Sequence, residues 1–232
     1  MENIIGREKE CAMISGLISQ RKNIIIFGLE GVGKSVILKS VLKNENIVSL
    51  LYSQDSKTFK GALSDLIVSA LGSTKAVQGL NILALKKVLY RVINEEKPEY
   101  IVFDHVEDVE PKFYSVFVYL MEAKIPLIVL GRGLQKKDVG HLRMVLFNFE
   151  KVEVSNLDRP TADVLADHFI KEFGIKITKD ADFKKQIFHF SKGNPKIIKQ
   201  FCFIARDAKY QKNDILDVKL IDLDRRINET VR

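Results

Sequence analysis

The octapeptide Gly28-Leu-Glu-Gly-Val-Gly-Lys-Ser35 constrains this chain more than any other stretch, because its residue types and its flanks admit one local geometry. It is an unbroken match to G-x-x-x-x-G-K-[ST]. The apolar run 23–27 precedes it, and Val36, Ile37, Val41 and Leu42 follow at helical spacing, so the segment reads strand, loop, helix. Gly28, Gly31 and Gly33 permit backbone angles and close approaches that a side chain would obstruct. Successive amide groups through Glu30, Val32 and the helix start at Val36 would then face an anion. Lys34 would reach the β- and γ-phosphates of a nucleoside triphosphate, and Ser35 would ligate Mg²⁺ through its hydroxyl.

Such a loop needs an acid on a neighbouring strand to hold the metal ion from the other side. The apolar run Glu99-Tyr-Ile-Val-Phe-Asp104 follows the helical face Leu85, Val88, Leu89, Val92, Ile93 and a break at Pro98, and it delivers Asp104 at its end. Asp104 would hold Mg²⁺ through a water. A second apolar run, 125–131, has the character of a strand buried on both faces and ends in Arg132. Ligands of open α/β sheets bind at strand C-termini, so Arg132 would sense or stabilise a γ-phosphate.

Strands are expected near 23–28, 46–52, 100–104, 125–131 and 149–154, with helical patterns between them. One such pattern is Leu63, Leu66, Ile67, Ala70 and Leu71. This alternation predicts a three-layer α/β core with a mostly parallel sheet over residues 1–154. Past Val154 the pattern is helical only. Ala162, Leu165, Ala166, Phe169, Ile170 and Phe173 form one stripe, with Asp158 and Pro160 marking its start, so residues 155–232 are expected to form a small all-helical lid domain.

The order of motifs resembles the AAA+ class of P-loop ATPases, especially its STAND and origin-recognition-like branches. The resemblance rests on Ile4-Ile-Gly-Arg-Glu-Lys-Glu10, the phosphate loop, Asp104, Arg132 and Gly193-Asn-Pro195, and runs from about Asn3 to about Ala208. It implies ATP and ADP as ligands, with Mg²⁺ as cofactor. By the same resemblance Ile5, Gly6 and Arg7 would flank adenine, Arg132 would act as a sensor, and Pro195 would close over the base. Adenine rather than guanine is also favoured by the absence of an N-K-x-D sequence. Hydrolysing members of the class usually carry a second acid beside the Mg²⁺ aspartate, where this chain has His105. Two residues remain as candidates for the catalytic base: neutral His105, through a free ring nitrogen, and Glu107, if the strand continues that far. Slow hydrolysis is the expectation. Arg143 is a weak candidate for an arginine supplied to a neighbouring subunit.

The function expected is therefore a nucleotide-dependent conformational or assembly switch, acting on a homo-oligomer or a regulatory protein. The alternative is a DNA-associated accessory ATPase of transposition or replication type. It is favoured by 37 basic against 30 acidic residues, a formal charge of +7. From Lys184 to Lys212 eight basic residues face the single acid Asp207, with Phe188, Phe190, Phe201 and Phe203 interleaved. Helical spacing makes those phenylalanines core and the lysines a solvated rim before it makes them a nucleic-acid surface. A small-molecule kinase fits less well, since it leaves the helical tail without a role. The apolar runs are too short to cross a bilayer, the start MENIIGREKE is no secretory signal, and Cys11 and Cys202 lack metal-ligand spacing, which together predict a cytoplasmic protein with reduced thiols.

Overall fold

Five short apolar runs pair into one sheet, and the way each is buried fixes the layers around it. The computed structural model describes residues 4–175, 180–212 and 215–230. In chain order the first unit comprises α1 (Glu8–Ser19), β1 (Ile24–Phe27), α2 (Lys34–Asn44), β2 (Leu50–Ser53), α3 (Phe59–Leu71), α4 (Ile82–Glu96) and β3 (Tyr100–Val106). It continues through α5 (Lys112–Glu122), β4 (Leu127–Gly131), the short α6 (Lys136–Val139) and α7 (Arg143–Leu146), and β5 (Glu150–Glu153). The sheet order is β2-β3-β4-β1-β5, and every pairing is parallel.

Strand side chains alternate between the two faces. Ile25, Ile101, Phe103, Leu127 and Val129 join one core with Leu63, Leu66, Leu89 and Phe117 of α3, α4 and α5. The intervening Ile24, Ile26, Val102, Ile128 and Leu130 are equally buried and point to the opposite face. There α1 and α2 bury Ile14, Ile18, Ile37 and Leu38, and the Tyr100 hydroxyl donates to the Ile18 carbonyl at 3.0 Å. Strands covered on both sides must be apolar throughout, which is why these runs show no alternation in the sequence.

Two strand limits differ from the sequence expectation. β2 begins at Leu50 rather than near residue 46, and β3 runs past Asp104 to Val106 through a register shift opposite β4. The chain leaves β1 for the far edge at β2 and later passes from β4 over β1 to β5. That reversal makes the C-terminal ends of β1 and β4 the switch point where open sheets bind ligands.

The second unit gathers Ser155–Arg232 with Asn3–Gly6 and the loop residues Glu30–Gly33; Asn3 itself lies outside the described residues. It contains α8 (Arg159–Glu172), α9 (Asp180–Ser191), α10 (Pro195–Ile204), β6 (Gln211–Lys212), β7 (Ile215–Leu216) and α11 (Val218–Thr230). Asp158 caps α8 by accepting from the Thr161 amide, with Pro160 in the first turn. Phe183, Ile187, Ile198, Phe201, Cys202 and Ile221 form the core. The unit is not wholly helical, because β6 and β7 make a short antiparallel ladder. Two-residue strands are too brief to leave a period in the sequence.

Both cysteines are free, and burial pushes the Cys202 thiol up to about 12, so it stays protonated and unreactive at neutral pH. Among the described residues no helix is long and apolar enough to cross a membrane. The α5 side of the sheet core supplies a stability test. Phe117 is fully buried, with its ring 4.6 Å from that of Phe103. Phe117→Ala is expected to cost about 3–5 kcal/mol, read as a lower urea midpoint with an unchanged m-value.

A candidate nucleotide site

In the first unit, strand register brings the candidate residues to one edge of the sheet. Gly131 of β4 lies opposite Phe27 of β1 on one side and Val106 of β3 on the other. The residues that follow, Gly28, Arg132 and Glu107, therefore leave three adjacent strands at the same level. Arg132 is exposed and has no hydrogen-bond or ion-pair partner among the described residues. Glu107 is exposed beyond the last residue of β3.

Asp104 is the buried acid of this edge, only 4% exposed. A carboxylate so placed needs donors, and it has two. The Tyr52 hydroxyl donates to Oδ2 at 2.7 Å, and the His105 amide donates to Oδ1 at 2.8 Å. Tyr52 comes from β2, the strand paired with β3. Burial first, and then the Asp104 charge and hydrogen bond, push the Tyr52 phenol far above its ordinary value, while the nearby Ser35 hydroxyl opposes the shift. Tyr52 thus ties the buried Asp104 to the neighbouring strand β2.

His105 reaches its position through strain. Its φ of 55° lies in the left-handed region, where the register between β3 and β4 shifts by one residue. The ring beyond this turn is half exposed, with Nδ1 3.0 Å from the Gln54 carbonyl and 3.3 Å from Asp104 Oδ1. A carbonyl and a carboxylate only accept hydrogen bonds, so Nδ1 carries the proton. In the tautomer with its proton on Nδ1, Nε2 is the ring nitrogen left to accept.

The phosphate loop begins and ends in this unit. Lys34 opens α2 and folds back so that Nζ donates to the carbonyls of Gly28 at 2.8 Å and Leu29 at 3.0 Å. At Gly33, with φ of 100°, a Cβ would meet no atom within 4 Å, which leaves open space over the loop. Lys34 and Ser35, which follow in sequence, carry an amine and a hydroxyl of the kind that suits phosphate oxygens. Mg²⁺ binds through one or two carboxylates, substrate phosphates and water rather than an all-protein cage. Ser35 and Asp104 fit that donor set, and among the described residues no cluster of three or more His, Cys, Asp or Glu suggests another. Val36 is exposed on α2, 60% accessible. Arg7, by contrast, is buried and paired with Glu10 at 2.7 Å.

Within the second unit the loop tip is gripped. Asn194 Nδ2 donates to the Glu30 carbonyl at 2.8 Å, and its Oδ1 caps α10 by accepting from the Lys196 and Ile197 amides. The Lys196 amide donates to the Gly31 carbonyl at 3.1 Å, and Lys196 Nζ pairs with Glu30 Oε1 at 2.6 Å. Gly31, at φ of 82°, allows this approach, since a Cβ there would overlap Asn194 and Lys196. Val32 is buried beside them in sequence. Pro195 is the first residue of α10 and half-buried. Gly6 packs against Thr161 too closely for a side chain, and Ile5 is half-buried.

Tyr52, Gln54, Asn194 and Lys196 are the residues sequence reasoning missed. Tyr52 had a readable signal, a phenol near the end of a strand, and Asn194 stood within Gly193-Asn-Pro195.

No protein-family model matches the chain, and no curated protein does. Two solved structures are similar. A Walker-type ATPase of Pyrococcus abyssi superposes with a TM-score of 0.63 at 14% identity, over 87% of this chain and 67% of that one. The replication initiator DnaA, bound to AMPPCP and single-stranded DNA, gives 0.54 at 19% identity, over 85% of this chain and 63% of that one. This chain therefore spans about two thirds of each. At these identities the likeness fixes the fold: it is the three-layer α/β fold of P-loop NTPases, followed by a largely helical region.

Proposed function

We propose that the chain binds ATP with Mg²⁺, hydrolyses it slowly, and uses the nucleotide to change the state of its helical unit. The observation that carries this reading is the buried carboxylate of Asp104, held by Tyr52 and the His105 amide at the sheet edge where the phosphate loop leaves β1 and Lys34 folds back on Gly28 and Leu29. The two similar structures, one described as an ATPase and one as bound to AMPPCP, support it.

In this reading Lys34 leaves the carbonyls of Gly28 and Leu29 for the more highly charged phosphate oxygens. Ser35 and Asp104 hold Mg²⁺, which neutralises phosphate charge. Arg132, unpaired at the end of β4, turns toward the terminal phosphate. His105 accepts a hydrogen bond at Nε2 from water, held in orientation by Nδ1–H on Gln54 and Asp104. Glu107, exposed past the strand end, is the competing base. Ile5, Gly6, Arg7 and Pro195 are assigned to the adenine by family resemblance alone.

The switch follows from the loop tip. A phosphate that recruits the amides of residues 30–33 also perturbs the carbonyls of Glu30 and Gly31, and those accept from Asn194 and Lys196 at the start of α10. A thousandfold shift between two states needs about 4 kcal/mol of differential contact, within the reach of a few charge-assisted bonds. A homo-oligomer or a regulatory protein would read that change. Assembly on nucleic acid is the second reading, favoured by the charge of +7.

Lys34→Ala is expected to abolish nucleotide binding measured by calorimetry, and undiminished turnover in that variant would discard the site. His105→Ala should lower turnover with nucleotide affinity kept, whereas a loss confined to Glu107→Ala would transfer the role of base to that residue. Tyr52→Phe removes the donor to a buried carboxylate oxygen. It should lower stability by about 1–3 kcal/mol in urea unfolding, and Mg²⁺ with nucleotide should recover more of that loss than nucleotide alone.

A further inference from the structure

The basic segment of the helical unit does not distribute its cations evenly. Lys184 pairs with Asp167 and Asp180, Lys196 with Glu30, and Lys209 with Asp224. Lys185, Lys192, Lys199 and Arg206 are exposed and have no acidic partner among the described residues, and of these Lys199 and Arg206 lie over the linked rings of Phe169, Phe173 and Phe203. Lys196, Lys199 and Phe203 are spaced three and four residues apart, so they share one face of α10, and Arg206 follows in the turn after it.

Aromatic rings interleave with these cations. The Arg206 guanidinium carbon sits 3.8 Å from the Phe203 ring centroid and 5.5 Å from that of Phe173, while Lys199 Nζ lies 5.5 Å from the Phe169 centroid. Phe169 and Phe173 stack at 5.7 Å and 8°, and Phe203 meets Phe173 edge-on. The expectation that the four phenylalanines of this segment are core holds for Phe201, fully buried, and for the partly buried Phe188 and Phe190. It fails for Phe203, which is 52% exposed. An open cleft of about 450 Å³ adjoins that ring, bordered by Arg206, Asp207 and Asn228.

We propose that this strip, Lys199, Phe203 and Arg206 with the adjoining cleft, binds single-stranded nucleic acid. Cations without an acidic partner along a helix face track a phosphate backbone, and an exposed ring with a guanidinium plane, here fixed by Arg206 Nε on the Phe203 carbonyl at 3.0 Å, gives bases a stacking platform. The cleft sets Asp207 as an acceptor and Asn228 as a donor and acceptor beside that platform, groups that pair with base edges. An acidic peptide would use the cations but has no use for the stacked rings. The surface goes beyond the nucleotide switch and does not depend on it, because none of its residues is assigned to phosphate or metal.

The test is fluorescence anisotropy of a labelled oligothymidylate on the full chain, without nucleotide, across a salt series. Wild type should bind, with affinity falling steeply as salt rises. Lys199→Glu and Arg206→Glu together should weaken binding about tenfold or more and remove about 0.7 each from the log–log salt slope. Phe203→Ala, which empties no core position, should weaken it by about 5- to 150-fold, the loss of one stacked base. Lys60→Glu, at an exposed position of α3, should change it less than about twofold, and Lys34→Ala should retain it, which separates failure of this surface from failure of the nucleotide site. The proposal is overturned if wild type does not bind at low salt, if Lys60→Glu weakens binding as much as Lys199→Glu, or if Phe203→Ala binds normally. Displacement by polyglutamate as effective as by unlabelled oligonucleotide would assign the strip to acidic polypeptides instead.

Discussion

A carboxylate at the end of a strand buried on both faces is the constraint around which the first unit is arranged. Asp104 follows four consecutive buried residues and is itself nearly inaccessible. An ionised group there is tolerable only if fixed donors replace water. Tyr52 and the His105 amide supply them. His105 itself lies in the left-handed region, where the register against β4 shifts and its imidazole stands half exposed. Strain of about 1–2 kcal/mol at such a non-glycine residue is set against hydrogen bonds to a buried charge, which contribute more than neutral ones.

The glycines of the phosphate loop meet two different demands. Gly33 faces open space, and its freedom serves a ligand. Gly31 faces Asn194 and Lys196, and its missing side chain serves the protein. One short motif therefore encodes a cradle on one side and a docking point for the start of α10 on the other. Asn194 joins the two demands, since the amide that caps the helix also holds the Glu30 carbonyl. A residue with two such obligations transmits a change at either of them, which gives the proposed switch a physical carrier.

The sheet, its parallel sense and the phosphate loop were legible because they rest on local pattern. Runs such as Ile125–Leu130 need burial on both faces, and Gly28–Ser35 is contiguous. Asp158 and Pro160 likewise announced the start of α8 through capping chemistry. What stayed hidden depends on pairs distant in sequence. Tyr52 reaches Asp104 across fifty-two positions and Asn194 reaches Glu30 across one hundred and sixty-four, and no periodicity records such partners. The bulge was hidden for a different reason: histidine is not a residue that advertises a positive φ, so Val102–Glu107 read as a plain strand end. Phe203 was misjudged because helical spacing alone cannot tell which side of α10 faces the core.

The two cationic groups that matter most are held in opposite ways. Lys34 is satisfied by carbonyl oxygens of its own loop, so it is positioned at little cost and released only to an acceptor with greater charge. A neutral ligand would have to break two charge-assisted bonds and return weaker ones. In the proposed function, selectivity for phosphate would arise from the bonds Lys34 already makes. Lys199 and Arg206 lie over aromatic faces, where the attraction is weaker, and Arg206 keeps only its Nε on the Phe203 carbonyl. Such cations attract any polyanion at long range, and discrimination passes to the rings beneath them. A half-buried, carbonyl-held lysine suits a small, highly charged ligand, whereas exposed cations over aromatic rings suit an extended one.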